Sequence, residues 1–227
     1  MGAGSRILRS SYSSIGVMPK QLRGKYPPMA VSPDRHELTG PDLKVFVLTN
    51  TFQFQMNQPP YSSLAIANWF ISRGGNNLTP LKLQKLIYYA HGWHLALKGQ
   101  ALIDEAIQAW PYGPVVPTVY HEFKDYGDRP IPQNALAEEF EQDPKGAMIA
   151  VTPTVPGSDT ETNRFLQKIA EVFDRYSGVE LSAFTHQPGT PWHALKQLHQ
   201  NLKGIIITND EIKAYFINLA SQSHPNA

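Results

Sequence analysis

The chain has 227 residues and a formal net charge of +1, a length that fits one domain or one domain with a tail. The near-neutral charge argues against a dedicated nucleic-acid binder, which usually carries a concentrated basic surface. The absence of cysteine excludes disulfides, thiolate metal sites and a cysteine nucleophile, and it agrees with a cytoplasmic location. No run approaches the roughly 18 apolar residues of a membrane span, so we expect no membrane partner.

The first 55 residues differ from the rest in charge and composition. They hold seven Lys/Arg against three Asp/Glu, and residues 56–227 hold 13 against 16, so the net charges are +4 and −3. The Arg- and Ser-rich, acid-poor beginning has the profile of an organelle transit peptide, but its prolines favour a disordered tail, and Met56 fits a true start of translation. We therefore interpret 1–55 as a disordered or over-extended N-terminal leader and 56–227 as the folded domain. Segment 45–54 has strand-like residues and is left unassigned.

Two helices are predicted at the beginning of the domain. The first begins at Ser62 or Ser63 and ends at the Gly- and Asn-rich segment 74–77. The second runs from Pro80 to about Lys98, with a threonine before it as N-cap and a glycine after it as C-terminal stop. Its apolar stripe, spaced by three and four residues, consists of Leu83, Leu86, Ile87, Ala90, His94 and Leu97. We expect the first four of these to be buried with Phe165, Ile169, Phe173 and Phe216.

The middle of the chain contains fewer helix signals. A short extended piece is predicted around Ile107–Trp110, and Pro117 can begin a helix that ends before Gly127. Residues 128–157 are rich in proline and glycine and are interpreted as a long loop. A little strand is expected near Met148–Val151.

Capping signals predict the remaining helices. Three hydroxyl residues are each followed by glutamate three positions later, at Ser158, Ser177 and Thr208, and each pair has the form of a capping box. A further helix begins at Thr190-Pro191 and runs to about Leu202. The sequence therefore predicts a mainly α fold, a single compact multi-helix domain of about seven helices with at most a small β-hairpin. The tryptophans Trp69, Trp93 and Trp192 are expected in its core.

Three ordered blocks carry a family resemblance: LTPLKLQKLIYYAHGWHL at 78–95, AWPYGPVVPTVYHEF at 109–123 and LSAFTHQPGTPW at 181–192. Over about Tyr61–Ala220 the chain resembles the Panacea domain, the SocA-like antitoxin family that is often labelled phage-associated protein. The resemblance implies an antitoxin of a bacterial or prophage toxin–antitoxin system, which neutralises a cognate protein toxin from a neighbouring gene by direct binding. For some members it also implies an adaptor role, in which the antitoxin presents the toxin to a protease.

Two groups of residues are candidates for partner binding. Lys82, Lys85 and Tyr89 fall on one helix face at i, i+3 and i+7, where they can recognise an acidic partner or can be an ordinary solvated face. Trp110 and Tyr112 lie on a turn that is restricted by the glycine and proline after it. Aromatic residues on a rigid loop are typical interface anchors, although these two can also cover the apolar stripe of the long helix.

Two other function classes are possible alternatives. His91, His94 and His121 suggest a small metal-dependent enzyme, but His94 falls on the apolar stripe and the HExxH pattern is absent. A DNA-binding autoregulator is disfavoured by the charge of −3 after residue 55 and by the lack of a basic recognition helix. We therefore predict no enzyme, no catalytic residue, no metal and no cofactor, and the sequence indicates no oligomeric state. The resemblance in the third block also implies that His186 and Trp192 lie together, as a packing unit that fixes their loop.

Overall fold

A computed structural model describes residues 58–75 and 77–221 of the chain. The packing, hydrogen bonds and sites described below involve residues of the unit that ends at Asn218. The leader 1–55 and the strand-like segment 45–54 lie outside the described residues, so the boundary at residue 56 stays a prediction. Within the described part of the chain, no helix combines the length and the apolar character that crossing a membrane requires.

The described residues form a helix-rich fold, which agrees with the predicted helical character. Its seven α-helices are α1 Ser63–Arg73, α2 Pro80–Lys98, α3 Pro117–Phe123, α4 Thr160–Phe173, α5 Gly178–Thr185, α6 Pro191–Leu198 and α7 Asn209–Ser221. One turn of 3₁₀-helix, Lys124–Tyr126, extends α3.

Most of the predicted helix ends are found in the structure. The Thr79 hydroxyl caps α2, and Gly99 ends it with a φ of 73°, a left-handed conformation that glycine adopts without steric cost. The capping boxes that begin at Ser177 and Thr208 are both formed. The prediction for α6 was correct at its beginning, where Thr190 is the N-cap.

Two helix ends differ from the prediction. The N-cap of α4 is Asp159 and not Ser158, because the Asp159 carboxylate accepts from the amide of Thr162 at 3.0 Å and from the hydroxyl of Tyr61 at 2.6 Å. The second bond comes from a residue distant in the sequence, which a local pattern does not reveal. Helix α6 ends at Leu198, earlier than the predicted end near Leu202.

The strands form more than the single small hairpin that the sequence predicted. Three of them, β1 Ile107–Trp110, β2 Gly113–Val115 and β5 Ile205–Ile207, form an antiparallel sheet in the order β2-β1-β5. The other two, β3 Glu139–Gln142 and β4 Met148–Val151, form a separate hairpin. Strand β5 was missed because its three residues pair with a strand far away in the sequence.

Helix α2 lies at the centre of the core. Every residue from Lys82 to Leu95 is buried, including the predicted core residues Leu83, Leu86, Ile87 and Ala90. Ile169, Phe173 and Phe216 are also buried as predicted, as are Trp69, Trp93 and Trp192, whereas Phe165 is only half-buried. Helix α7 approaches α2 closely at Gly92, where an added Cβ would lie 2.2 Å from the Phe216 ring. Because α2 is enclosed along these turns, its polar side chains also lie in the interior.

Candidate functional site

The α2 face that carries Lys82, Lys85 and Tyr89 is buried, so the expectation that it is exposed to solvent was wrong. Helix α5 packs against α2, and an added Cβ at Gly178, the first residue of α5, would lie 2.7 Å from the backbone nitrogen of Lys82. This close approach of two backbones covers the Lys82 end of that face. Any part that the three residues play in partner binding stays a prediction.

Lys82 and Tyr89 have contacts that explain their burial. The Lys82 Nζ donates to the carbonyl of Asp174, directly after α4, at 2.8 Å, where a cation satisfies a terminal helix carbonyl and complements the helix dipole. Burial lowers the pKa of Lys82, and the charge of Asp174 opposes this effect. The Tyr89 ring stacks on Phe173 with centroids 4.5 Å apart, and its hydroxyl donates to the Leu181 carbonyl at 3.5 Å.

Lys85 is the largest fully buried polar side chain of the described residues. Its Nζ donates to the carbonyl of Pro114 at 2.9 Å. An added Cβ at Gly113 would lie 2.7 Å from this Nζ and 2.5 Å from the Thr185 hydroxyl, so the amine sits between the β1–β2 turn and α5. Burial lowers the pKa of Lys85 to about 7, since desolvation disfavours the ammonium form.

The β1–β2 connection places two exposed residues, Pro111 and Tyr112, at the tip of a hairpin in which Trp110 pairs with Gly113. Proline at the second position and glycine at the fourth are typical of tight turns. Gly113 has a φ of 102°, which a side chain would make costly. Gly113 therefore has two constraints, its backbone conformation and the proximity of Lys85.

Every second backbone carbonyl from residue 110 to residue 116 accepts a hydrogen bond from a side chain of another element. The donors are Trp192 Nε1 to Trp110 at 2.7 Å, Ser182 Oγ to Tyr112 at 2.7 Å, Lys85 Nζ to Pro114 at 2.9 Å and Gln84 Nε2 to Val116 at 3.1 Å. The Gln84 Oε1 also accepts from the Val116 amide at 2.8 Å. We call residues 110–116 the braced hairpin, because α2, α5 and α6 each hold it through at least one side chain.

The two predicted aromatic anchors have different environments on the braced hairpin. Tyr112 is 73% exposed, so it does not cover the apolar stripe of α2. Trp110 is half-buried: its ring lies 4.8 Å from that of Tyr120, and its Nε1 donates to the Gln108 side chain at 3.0 Å. The amine of Lys203 lies 5.6 Å from the Trp110 ring centroid, within the range of a cation–π contact.

The α5–α6 loop is fixed by the stacked pair that the sequence predicted. The rings of His186 and Trp192 are 3.8 Å apart at an angle of 20°. The Thr190 hydroxyl donates to the Thr185 carbonyl at 2.7 Å. Burial lowers the pKa of His186, and the charge of Lys85 lowers it further. The loop thereby positions Trp192 for its bond to the braced hairpin.

Three bracing roles were missed in the sequence, those of Gln84, Lys85 and Ser182. One signal for the α2 residues was available, since α2 carries only three lysines and no acid in 19 residues. Such a helix has too few charges for a solvated face, and polar residues set among apolar neighbours then need buried partners. Ser182 gave no comparable signal, because its acceptor lies on a strand distant in the sequence.

The histidines of the metal-enzyme alternative are not brought together as a ligand set. His91 uses both ring nitrogens, with Nε2 2.8 Å from the Asn209 side-chain oxygen and Nδ1 accepting from the Ile103 amide at 3.4 Å. The Nδ1 of His94 lies 2.8 Å from the Gln100 carbonyl. Burial lowers the pKa of His91 to about 4. His121 is exposed on α3, and no group of three potential metal ligands occurs among residues 58–75 and 77–221.

Comparisons with known proteins identify the family of the chain. The model of the family described as antitoxin SocA-like, Panacea domain matches residues 83–193, a range that contains all the bracing residues. The chain is 31% identical over 145 residues to antitoxin SocA of Caulobacter vibrioides (strain NA1000 / CB15N), and the match covers 62% of this chain and 74% of that protein. No solved structure matches. The chain belongs to the SocA-like, Panacea-domain antitoxin family.

Proposed function

We propose that this chain is the antitoxin of a toxin–antitoxin system, and that it neutralises a cognate protein toxin in the cytoplasm by binding it directly. The support comes from the family, in which the relative in Caulobacter vibrioides is named an antitoxin, and from one surface of the structure. That surface is the tip of the braced hairpin, where Tyr112 projects into solvent.

The observation that carries the proposal is the contrast between the side chain and the backbone of Tyr112. The side chain is 73% exposed, while the carbonyl of the same residue accepts from the buried Ser182 hydroxyl at 2.7 Å. A partner that buries this ring restricts only two side-chain torsions, because the backbone is already fixed, and the entropic cost of binding is small. Tyrosine is also among the residues that most often dominate binding energy in interfaces.

A second exposed apolar side chain extends the surface along α5. Val179 is 70% exposed, and it precedes Ser182 by three residues, so both lie on the same side of the helix. Since Ser182 bonds to the Tyr112 carbonyl, Val179 lies about one helical turn from the point where α5 contacts the hairpin. We include Trp110 at the margin of the contact because its ring remains partly accessible.

Lys82, Lys85 and Tyr89 enter this proposal indirectly. Lys85 is a positioning residue, which holds the Pro114 carbonyl and therefore the hairpin that presents Tyr112. Lys82 and Tyr89 fasten α2 to the end of α4 and to α5. Their replacement should alter partner binding only to the extent that it alters the fold.

The experiment is co-expression with the product of the neighbouring reading frame, followed by calorimetry on the purified pair. The unaltered chain should restore growth. Tyr112→Ala should keep the thermal transition and weaken binding by about 2 kcal/mol, the size of a hot-spot truncation. Leu198→Ala is the matched control, since Leu198 is 75% exposed on a different helix. Equal affinity of the two variants would exclude Tyr112 as an anchor, and failure of the unaltered chain to bind would exclude direct neutralisation.

The same cells distinguish sequestration from delivery to a protease, the adaptor role that the resemblance implies for some members. A sequestered toxin should accumulate at an unchanged level when the antitoxin is present. A toxin presented to a protease should instead fall in amount after translation is stopped, and it should persist when Tyr112→Ala replaces the unaltered chain.

A further inference from the structure

The hairpin of β3 and β4 is a separate feature that the proposed contact at Tyr112 does not use. Its strands pair Phe140 with Ala150 and Gln142 with Met148. The connecting turn is well defined: the Asp143 amide donates to the Ala147 carbonyl at 2.8 Å, and the Asp143 carboxylate accepts from the amides of Lys145 and Ala147. We call residues 138–152 the acidic arm.

The base of the acidic arm is fixed to the core by one buried side chain. Asn68 on α1 is 2% exposed. Its Nδ2 donates to the carbonyls of Ala137 and Pro153 at 3.0 Å each, and its Oδ1 accepts from the Ala137 amide at 2.8 Å. The residues that enter and leave the arm are thus held by one amide, and the arm begins from a rigid point.

Both faces of the acidic arm are largely exposed, although it carries large apolar side chains. Phe140 and Met148 are 71% and 63% exposed, and the strand register places them on the same face. Ile149, on the opposite face, is also exposed. A two-stranded hairpin on its own is marginally stable in water, and clustered exposed apolar side chains mark interaction sites. A partner that covers this face would stabilise the arm.

The charges of the acidic arm restrict the kind of partner. The arm contains Glu138, Glu139, Glu141 and Asp143 against the single Lys145, a net charge of −3. Two copies of the arm would bring like charges together, which is costly at an interface. Nucleic acids and anionic lipid surfaces are repelled for the same reason. A protein surface with lysine or arginine around an apolar groove is complementary to both the charge and the apolar face.

We propose that the acidic arm is a second docking element for the toxin. Phe140 and Met148 of the arm pack into an apolar groove of the toxin, and basic residues of the toxin surround that groove. This inference rests on the proposed function and adds the chemistry of the partner. The apolar face supplies affinity by burial, while the carboxylates accelerate association and make it dependent on salt.

Two double variants test the two parts of this contact, with calorimetry and association rates measured on the full chain and the product of the neighbouring reading frame. Phe140→Ser with Met148→Ser should weaken binding by about tenfold or more, mainly through faster dissociation. Glu138→Lys with Glu141→Lys should slow association by about tenfold at low salt, and the difference should shrink at about 0.5 M NaCl. Each variant is taken as folded if its thermal transition matches that of the unaltered chain.

Matched controls are available on other exposed segments. Leu198→Ser removes an exposed apolar residue, and Asp125→Lys with Asp128→Lys reverses two exposed charges; both should bind as the unaltered chain does. If the arm variants also bind normally, the acidic arm is not a docking element, while the proposed function stands. If the unaltered chain binds no toxin, both proposals fail. A dimer of the chain that the Phe140 and Met148 variant converts to monomer would overturn the arm proposal in favour of self-association.

Discussion

The replacement Lys85→Met is the most informative perturbation of the interior. Methionine has nearly the same length and volume as lysine but carries no charge, so the packing between α2 and α5 can be kept. The change removes the hydrogen bond to the Pro114 carbonyl. A buried carbonyl without a partner costs roughly 1–3 kcal/mol. The change also removes a buried amine, and this second effect depends on pH.

The size and sign of the pH effect follow from the pKa of Lys85, which burial lowers from 10.5 to about 7. Between these two values the unfolded chain binds a proton that the folded chain does not, so stability rises with pH. The slope is at most about 1.4 kcal/mol per pH unit. Below pH 7 the folded state carries the buried ammonium charge. Burying this charge lowers the free energy of unfolding by about 5 kcal/mol at most. This loss of stability declines as the pH rises from about 7 towards 10.5.

The assay is urea unfolding of the unaltered chain and the variant at several pH values from 7 to 9. The unaltered chain should gain up to about 2–3 kcal/mol over this interval, and Lys85→Met should lose most of that gain. The pKa of Lys82 is also lowered, which raises stability with pH in the same direction. Lys82 is present in both proteins, so its effect cancels when the two pH profiles are subtracted. Lys196→Met, on the exposed surface of α6, is the control and should keep the slope. Parallel pH profiles for the unaltered chain and Lys85→Met would refute the reasoning.

Three further predictions concern the core and the chain boundary. Leu86→Ala should cost roughly 2–5 kcal/mol in the free energy of unfolding, as large-to-small changes in a core do, and a near-neutral result in urea would contradict the burial of Leu86. Gly92→Ala should destabilise by about 1–3 kcal/mol, because the added Cβ would lie 2.2 Å from the Phe216 ring; the same melting temperature would show that α7 can move away. Removal of residues 1–55 should change the melting temperature by only a few degrees, and a large decrease would assign those residues a part in the fold.

Local sequence signals predicted the parts of the fold that local interactions determine. The limits of α2 follow from a hydroxyl N-cap, a proline in the first turn and a C-terminal glycine, all within a few residues of the helix ends. The capping box at Ser177 is equally local. The apolar stripe with Leu83 and Leu86 identified the central helix because its period is that of the helix itself. These features require no knowledge of what packs on the helix.

The features that escaped prediction depend on partners distant in the sequence. Whether Lys85 faces solvent or the interior depends on α5 and the braced hairpin, and a spacing of i and i+3 describes a face without saying what covers it. Strand β5 exists because it pairs with β1, and three isoleucines alone do not specify it. Strand β3, which carries Phe140, was missed within the predicted long loop 128–157 because it is defined by its pairing with β4.

The position of β2 in its sheet explains why the interior contains a lysine at all. Strand β2 is at the edge of the sheet, next to β1 alone, and yet all three of its residues are buried. The outward carbonyls of such an edge recur at every second residue, and in an apolar interior each needs a donor. Pro114 has no amide proton, so only its carbonyl needs a partner, and Lys85 of α2 donates to it. Gln84 of α2 donates to the next outward carbonyl, that of Val116. A covered edge cannot accept a strand from another chain, which leaves the exposed tip at Tyr112 as the part of the braced hairpin that can contact a partner.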